Sequence, residues 1–204
     1  MTTTPAARRP DRPGEDRRQA LVLAAYNEIA ERGFEGLRTR EVAGEVGVNV
    51  ATLHYYFPTK EALIGAVVQH AMQRFQSTLA PHGSPADQLR NHLRAVQRLL
   101  RDEPRLGTVM VELALRSARD PAIAAIVGET YTAWLRMVRG LLTRAVRAGH
   151  LRPDLDNDDV AAIVVATITG TTMPGASMQS EGAVRQLERW LGIAELPGAT
   201  ASGS

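Results

Sequence analysis

Apolar positions recur at spacings of three and four along most of this chain, and no run of β-branched residues alternates strictly with polar ones. That pattern predicts an all-α protein. Leu21, Ala25 and Ile29 repeat on one face, with Val22 and Tyr26 beside them, so a first helix is expected over about 17–32. Gly33 ends it, and Phe34 turns back as an apolar plug. Later periodicity predicts helices over 60–79, 85–101, 104–118, 121–148, 156–178 and 181–193. Pro81, Gly83, Ser84 and Pro85 interrupt the pattern and mark the clearest internal boundary.

Between the first helix and residue 60 the spacing is shorter and more specific. Residues 39–63, TREVAGEVGVNVATLHYYFPTKEAL, read as two short helices joined by a glycine turn, with another helix starting straight afterwards. Ala43 is small enough to let the second helix cross the first, while Val42 and Val46 share a face. Gly47 supplies the positive φ of the turn. Asn49 fits the N-cap of the second helix, Pro58 ends it, and Thr59 caps the next, which opens on Lys60 and Glu61. The second helix carries a polar and aromatic set, Thr52, His54, Tyr55 and Tyr56. Solvent gives a helix little reason to present such rings, whereas a DNA groove does.

Composition narrows the alternatives without deciding them. The chain has 204 residues, enough for one or two domains with a full core. Aromatic content is 4%, with Ala, Leu, Val and Arg dominant, which favours helices over sheets. Zero cysteines removes disulfides, thiolate metal sites and cysteine nucleophiles together, and suits the cytoplasmic location expected here. No apolar run is long enough for a membrane span, and the first residues lack the apolar centre of a signal peptide. A net charge of +2 is too small to argue for nucleic acid alone. Lys60 is the single lysine, beside the presumed DNA surface, and Arg8, Arg9, Arg12, Arg17 and Arg18 crowd the N-terminal arm. Such an arm either reaches DNA or is simply solvated.

No catalytic constellation emerges. The five histidines, His54, His70, His82, His92 and His150, are scattered, and HExxH, GxxxxGK, GxGxxG and GxSxG are all missing. The acidic run DLDNDD, from Asp154 to Asp159, lacks an EF-hand's glycine and distal glutamate. Helix capping by Asp156 or Asn157 explains it more cheaply than a metal. No metal, cofactor or enzymatic turnover is expected.

Residues 17–78, from LVLAAYNEIAERGFEGLRTREVAGEVGV through TLHYYFPTKEAL, resemble the DNA-binding domain of the TetR family of bacterial transcriptional regulators. His54 departs from the tyrosine usual after the leucine of the family's recognition helix, which bears on which bases are read. The resemblance implies an N-terminal three-helix helix-turn-helix domain followed by a C-terminal helical domain for ligand binding and dimerisation. The expected division is an arm over 1–14, the DNA-binding domain over 15–60, the effector and dimerisation domain over 61–195, and a tail over 196–204.

On this reading Asn49, Val50 and Ala51 approach base edges, and Thr52 and His54 touch bases or nearby backbone. Arg40 reaches a guanine, whose O6 and N7 match its planar fork. Thr39, Tyr55, Tyr56 and Lys60 contact phosphates, while Leu53 and Phe57 face inward. The helix over 121–148 carries a seam of Val127, Tyr131, Trp134, Val138, Leu141 and Ala145. The helix over 156–178 is apolar nearly all round, through Val160, Ile163, Val164, Val165 and Ile168. Such helices need two partners, and a second subunit supplies one, as the family's four-helix bundle implies. The expected operator is then a near-palindrome. Candidate effector-lining residues are His92, Val96, Met110, Leu113, Tyr131, Trp134 and Met137; their helical spacing alone favours plain core, and the resemblance tips the balance to a pocket. The function implied is a repressor released by a small molecule. An activator of the same family, a partner-binding adaptor with a helix-turn-helix-like pair, and a helical enzyme or carrier are the competing readings.

Overall fold

In a computed structural model, which describes residues 13–79, 81–173 and 177–194, every regular element is helical. The chain divides between Val67 and Val68 into two compact units. That division falls inside the fourth helix.

In the first unit α1 (Pro13–Gly36) is the scaffold, and α2 (Thr39–Glu45) and α3 (Val50–Tyr56) lean on it. Gly33, at φ 69°, breaks the helical path of α1 as expected, and Phe34 is buried behind the break. Leu21, Ala25 and Ile29 of α1, Val42 and Ala43 of α2 and Leu53 of α3 are all fully buried. Arg32 Nη1 bonds Glu41 Oε2 at 2.6 Å and ties α1 to α2. The first half of α4 (Lys60–Gln76) belongs to this unit and is capped by Thr59, whose Oγ1 accepts from Ala62 N at 3.1 Å.

The second unit is built around α5 (Pro85–Asp102), with α6 (Pro104–Ser117), α7 (Pro121–Arg147), α8 (Asn157–Thr171) and α9 (Ser177–Leu191) about it. A capping box starts α5, because Ser84 accepts from Asp87 N and Asp87 accepts from Ser84 N, with Pro85 in the first turn. Leu89, Leu93 and Val96 of α5 pack with Val138, Leu141, Leu142 and Ala145 of α7, with Val164, Val165 and Ile168 of α8, and with Val184 and Leu187 of α9. Three arginines of α5 grip α9 and the residues just after it. Arg94 forks onto the buried Glu188 carboxylate at 2.8 and 3.0 Å, Arg90 donates to Ile193 O at 3.2 Å, and Arg101 pairs with Glu181. Two-point pairing is what makes a buried carboxylate tolerable.

Two expectations change here. The helix expected over 156–178 stops at Thr171, and α9 begins at Ser177, earlier than residue 181. Gly170, Thr171 and Thr172 are weak helix formers, and the proline at 174 disfavours helical φ/ψ in the residue before it. The lower part of the α7 seam, Val138, Leu141 and Ala145, is consumed inside its own protomer against α5 and α8. Asp156 is the N-cap of α8, accepting from Asp158 N at 2.9 Å and Asp159 N at 3.1 Å, which accounts for the acidic run. Of the arm expected over 1–14, Pro13 and Gly14 belong to α1, while residues 1–12 and the tail expected over 196–204 lie outside the described residues.

Candidate nucleic-acid interface

The turn between α2 and α3 is closed by a Schellman arrangement. Gly47, at φ 73°, donates to Gly44 O at 3.0 Å, and Val48 donates to Ala43 O at 2.9 Å. An alanine at position 47 would be strained by that φ although nothing crowds the site. The chain then enters α3 through Asn49, whose Oδ1 accepts from Thr52 N at 2.7 Å and Thr52 Oγ1 at 2.9 Å. Asn49 and Thr52 are therefore tied to each other and present a joint polar edge.

Two side chains hold α3 down. Leu53 and Phe57 are 1% and 2% exposed, which leaves the opposite face free. Val50 and Thr52 are half-buried, whereas Asn49, Ala51 and His54 are exposed, and Tyr55 is 81% exposed. Tyr56 is half-buried and meets the Tyr55 ring edge-on, with centroids 5.2 Å apart. Arg40 stands exposed in the first turn of α2, with Thr39 half-buried before it and Lys60 half-buried at the start of α4. The residues expected to meet DNA thus lie on α2, α3 and the start of α4 within one compact unit.

Two features of this unit escaped the sequence reading. The start of α1 packs on the end of α3. The Arg18 guanidinium lies 5.1 Å from the Phe57 ring centroid, and a Cβ on Gly14 would stand 3.5 Å from Tyr56 Oη. Glu28, on the inner side of α1, is 8% exposed with Oε2 lacking a hydrogen bond, and Arg32 Nη1 is 3.6 Å away. Burial pushes the Glu28 carboxyl above its ordinary pKa against the pull of Arg32, and the carboxylates of Glu41 and Glu45 push the same way. A glutamate one residue before Ile29 in an apolar stripe was the available signal.

The candidate effector residues of the second unit differ in burial. His92 and Val96 are fully buried, and Leu113 is fully buried in α6. Met110, Trp134 and Met137 are half-buried, while Tyr131 is 41% exposed. His92 and Trp134 are joined by a hydrogen bond of 3.0 Å. The described residues of this unit form an open groove of about 280 Å³, lined by Leu79, Pro81, Gln88, Met137, Leu141 and Arg144. Met137 alone is common to the two sets. Among the described residues no group of three or more His, Asp or Glu is placed to hold a metal ion, and no helix is long and apolar enough to cross a membrane.

Residues 21–67 match the family model for bacterial regulatory proteins of the tetR family, and residues 79–187 match that for tetracyclin repressor-like C-terminal domains. The nucleoid occlusion factor SlmA of Pasteurella multocida is 29% identical over 140 residues, covering 66% of this chain and 70% of that protein. The transcriptional regulator EthR of Mycolicibacterium smegmatis is 31% identical over 100 residues, 48% of this chain and 46% of that one. A regulator from Saccharomonospora viridis, solved in complex with choline, shares the fold at a TM-score of 0.69 and 23% identity, covering 87% of this chain and 96% of that one. The two family models lie one on each unit, and the chain belongs to the TetR family of DNA-binding transcriptional regulators.

Proposed function

We propose that this regulator is a cytoplasmic homodimeric repressor of a near-palindromic operator, released when a small molecule binds its second unit. The observation that carries the reading is α3, pinned by Leu53 and Phe57 and presenting Ala51, His54 and Tyr55 outward. Asn49, Val50, Ala51, Thr52 and His54 face base edges, and Arg40 reads a guanine. Thr39, Tyr55, Tyr56 and Lys60 hold phosphates, which set orientation without choosing sequence. The protein acts by binding and not by turnover.

One such helix touches too few base edges to select a site in a genome, so two are needed at a fixed spacing. Ile163 on α8 and Trp190 on α9, 50% and 68% exposed, supply the apolar face for a second copy. The dimer forms through the 121–148 and 156–178 helices, α7 and α8, with Trp190 adding α9 to the contact. The effector enters between α5, α7 and the segment that follows α4, where the groove beside Met137 and Arg144 opens. The choline bound by the Saccharomonospora viridis regulator supports a small molecule in this fold but does not identify this chain's effector.

Selection of bound fragments from sheared genomic DNA tests the reading. A recovered near-palindrome with half-sites about one helical turn apart supports it. Failure of the folded dimer to enrich any site would favour a partner-binding helical protein. Rising transcription of the neighbouring genes when the regulator is supplied would identify an activator.

A further inference from the structure

We infer that the effector of the second unit is a compact apolar carboxylic acid, its carboxylate paired with the Arg144 guanidinium and its hydrocarbon body lying between Leu79, Pro81, Met137 and Leu141. The inference rests on the reading that a small molecule binds this unit, and it names the chemical class.

Arg144 carries it. Of the residues that line the groove only Arg144 is charged, and among the described residues no carboxylate pairs with it. Arg94, Arg101, Arg116 and Arg139 of the same unit each have a carboxylate partner. The direction of the side chain matters as well. Gly140 stands one turn before Arg144, and a Cβ there would lie 3.4 Å from Arg144 Nη1. With no side chain at 140, the guanidinium lies back along α7, to the turn that holds Met137 and Leu141. Arg144 is exposed, so a ligand reaches it from solvent. An apolar body laid on the walls then removes water from around the charged pair, which strengthens the attraction.

The rest of the groove narrows the class. Four of its six lining residues are apolar, which suits a hydrocarbon better than a sugar or a nucleoside. Gln88, the other polar one, donates Nε2 to Gly83 O at 3.1 Å and so has already used one amide hydrogen. The volume of about 280 Å³ lies at the small end of ligand sites, so the body is short. One guanidinium offers a planar fork that meets both oxygens of one carboxylate. A phosphate monoester brings a charge of about −1.5 to −2. Its second charge would stand near the C-terminal end of α7, where the helix dipole is negative. A cation finds no counter-charge on these walls.

The test titrates octanoate and hydrocinnamate into the full chain by calorimetry. Octanol, octyl phosphate and octyltrimethylammonium keep the body of octanoate and change only its head. An acid should bind once per protomer, at least about tenfold more tightly than the other three heads. Arg144→Gln should weaken the acid at least about tenfold and leave octanol unchanged. Gly140→Leu, a good helix former whose side chain takes the space of the guanidinium, should weaken the acid likewise. Arg147→Gln removes a charge from the same last turn but not from the groove, and should change nothing. Equal affinity for acid and alcohol, or an equal loss in Arg147→Gln and Arg144→Gln, overturns the inference. Failure of both acids to saturate at concentrations up to about 10 mM overturns it as well. Operator binding is measured in parallel, and a bound acid that leaves the operator complex intact is a ligand but not the effector, which also overturns the inference. An operator that is bound, with no acid taken up, removes the ligand class and leaves the regulator reading standing. Absence of any saturable operator binding removes the regulator reading instead.

Discussion

Trp134 donates its indole Nε1–H to Nε2 of His92 at 3.0 Å, and this one bond fixes the state of a fully buried histidine. Indole is a donor only, so Nε2 must accept and the ring proton sits on Nδ1. Nδ1 then donates to Thr78 Oγ1 at 2.8 Å, and the Thr78 hydroxyl donates to Phe75 O at 2.6 Å. Phe75 stacks on Trp134 with ring centroids 6.1 Å apart, which closes the group into a ring. The C-terminal end of α4, the middle of α5 and the middle of α7 are joined by a histidine that is neutral.

The pH dependence follows from that neutrality. Burial lowers the His92 pKa from 6.5 to about 4. Below 6.5 the unfolded chain takes up a proton that the folded chain refuses, so stability falls as pH drops from 6.5 and levels off near the folded value. The gap is worth of order 3 kcal/mol when fully expressed. Denaturant unfolding of the wild type between pH 7 and 4 should show this loss superimposed on other groups. In His92→Gln, which keeps a donor and an acceptor, the difference from wild type should shrink steadily towards pH 4. A constant difference across that range would mean His92 does not titrate as its burial requires.

Glu28 has the opposite sign. Its folded pKa lies above 4.5, so the stability it supports is present at low pH and disappears as pH rises through the folded value. At pH 7 the unfolded chain bears this charge more easily than the buried site does. Glu28→Gln should therefore raise the thermal midpoint at pH 7 modestly, by about 1 kcal/mol or less in stability. The gain should fade near pH 4, where the native carboxyl already carries its proton. A lower midpoint at pH 7 would show that the Arg32 pairing outweighs burial.

Legibility in the sequence tracked the range of the chemistry. Gly47, Asn49, Thr59 and Ser84 were readable because caps and turns are settled within a few residues. The helix-turn-helix followed from them. The division of α7 was not readable, since periodicity marks Val138 and Leu141 as facing something without saying which helix. His92 and Trp134 stood together in the sequence expectation as pocket lining. Their mutual hydrogen bond, between residues 42 positions apart, exists only once α5 and α7 pack. The same holds for Gly14 beside Tyr56.

Asn49 separates folding from DNA recognition. Its Oδ1 caps α3, and aspartate caps equally well. Asn49→Asp should leave the thermal midpoint within about 0.5 kcal/mol of wild type. On the proposed interface the added negative charge would stand within the field of the DNA phosphates, so operator affinity should drop at least tenfold, about 1.4 kcal/mol. Retained affinity in calorimetric titration would remove Asn49 from the interface.

Arg40 and Lys60 should divide the work of specificity and attraction. Arg40→Ala is expected to cost about 1–3 kcal/mol and to relax preference at one base pair. Lys60→Ala should weaken every duplex alike and reduce the salt slope by about one. Binding of a panel of singly substituted operators at several salt concentrations distinguishes the two. A changed base preference in Lys60→Ala would reverse the assignment.

Trp190 tests the assembly. It is 68% exposed on α9, while Val184, Leu187 and Leu191 of the same helix are buried in the protomer core. A tryptophan so exposed on a helix already packed along its other side is matched by a second copy more naturally than by water. Trp190→Glu places a charge on that face without entering the core, so the protomer should stay folded with an unchanged circular dichroism spectrum. Sedimentation should show monomer at micromolar concentrations where the wild type is dimeric. Operator binding should fall far more than binding to a single half-site, because the fixed spacing of two recognition helices is what the variant removes. A variant that remains dimeric would move the interface away from α9.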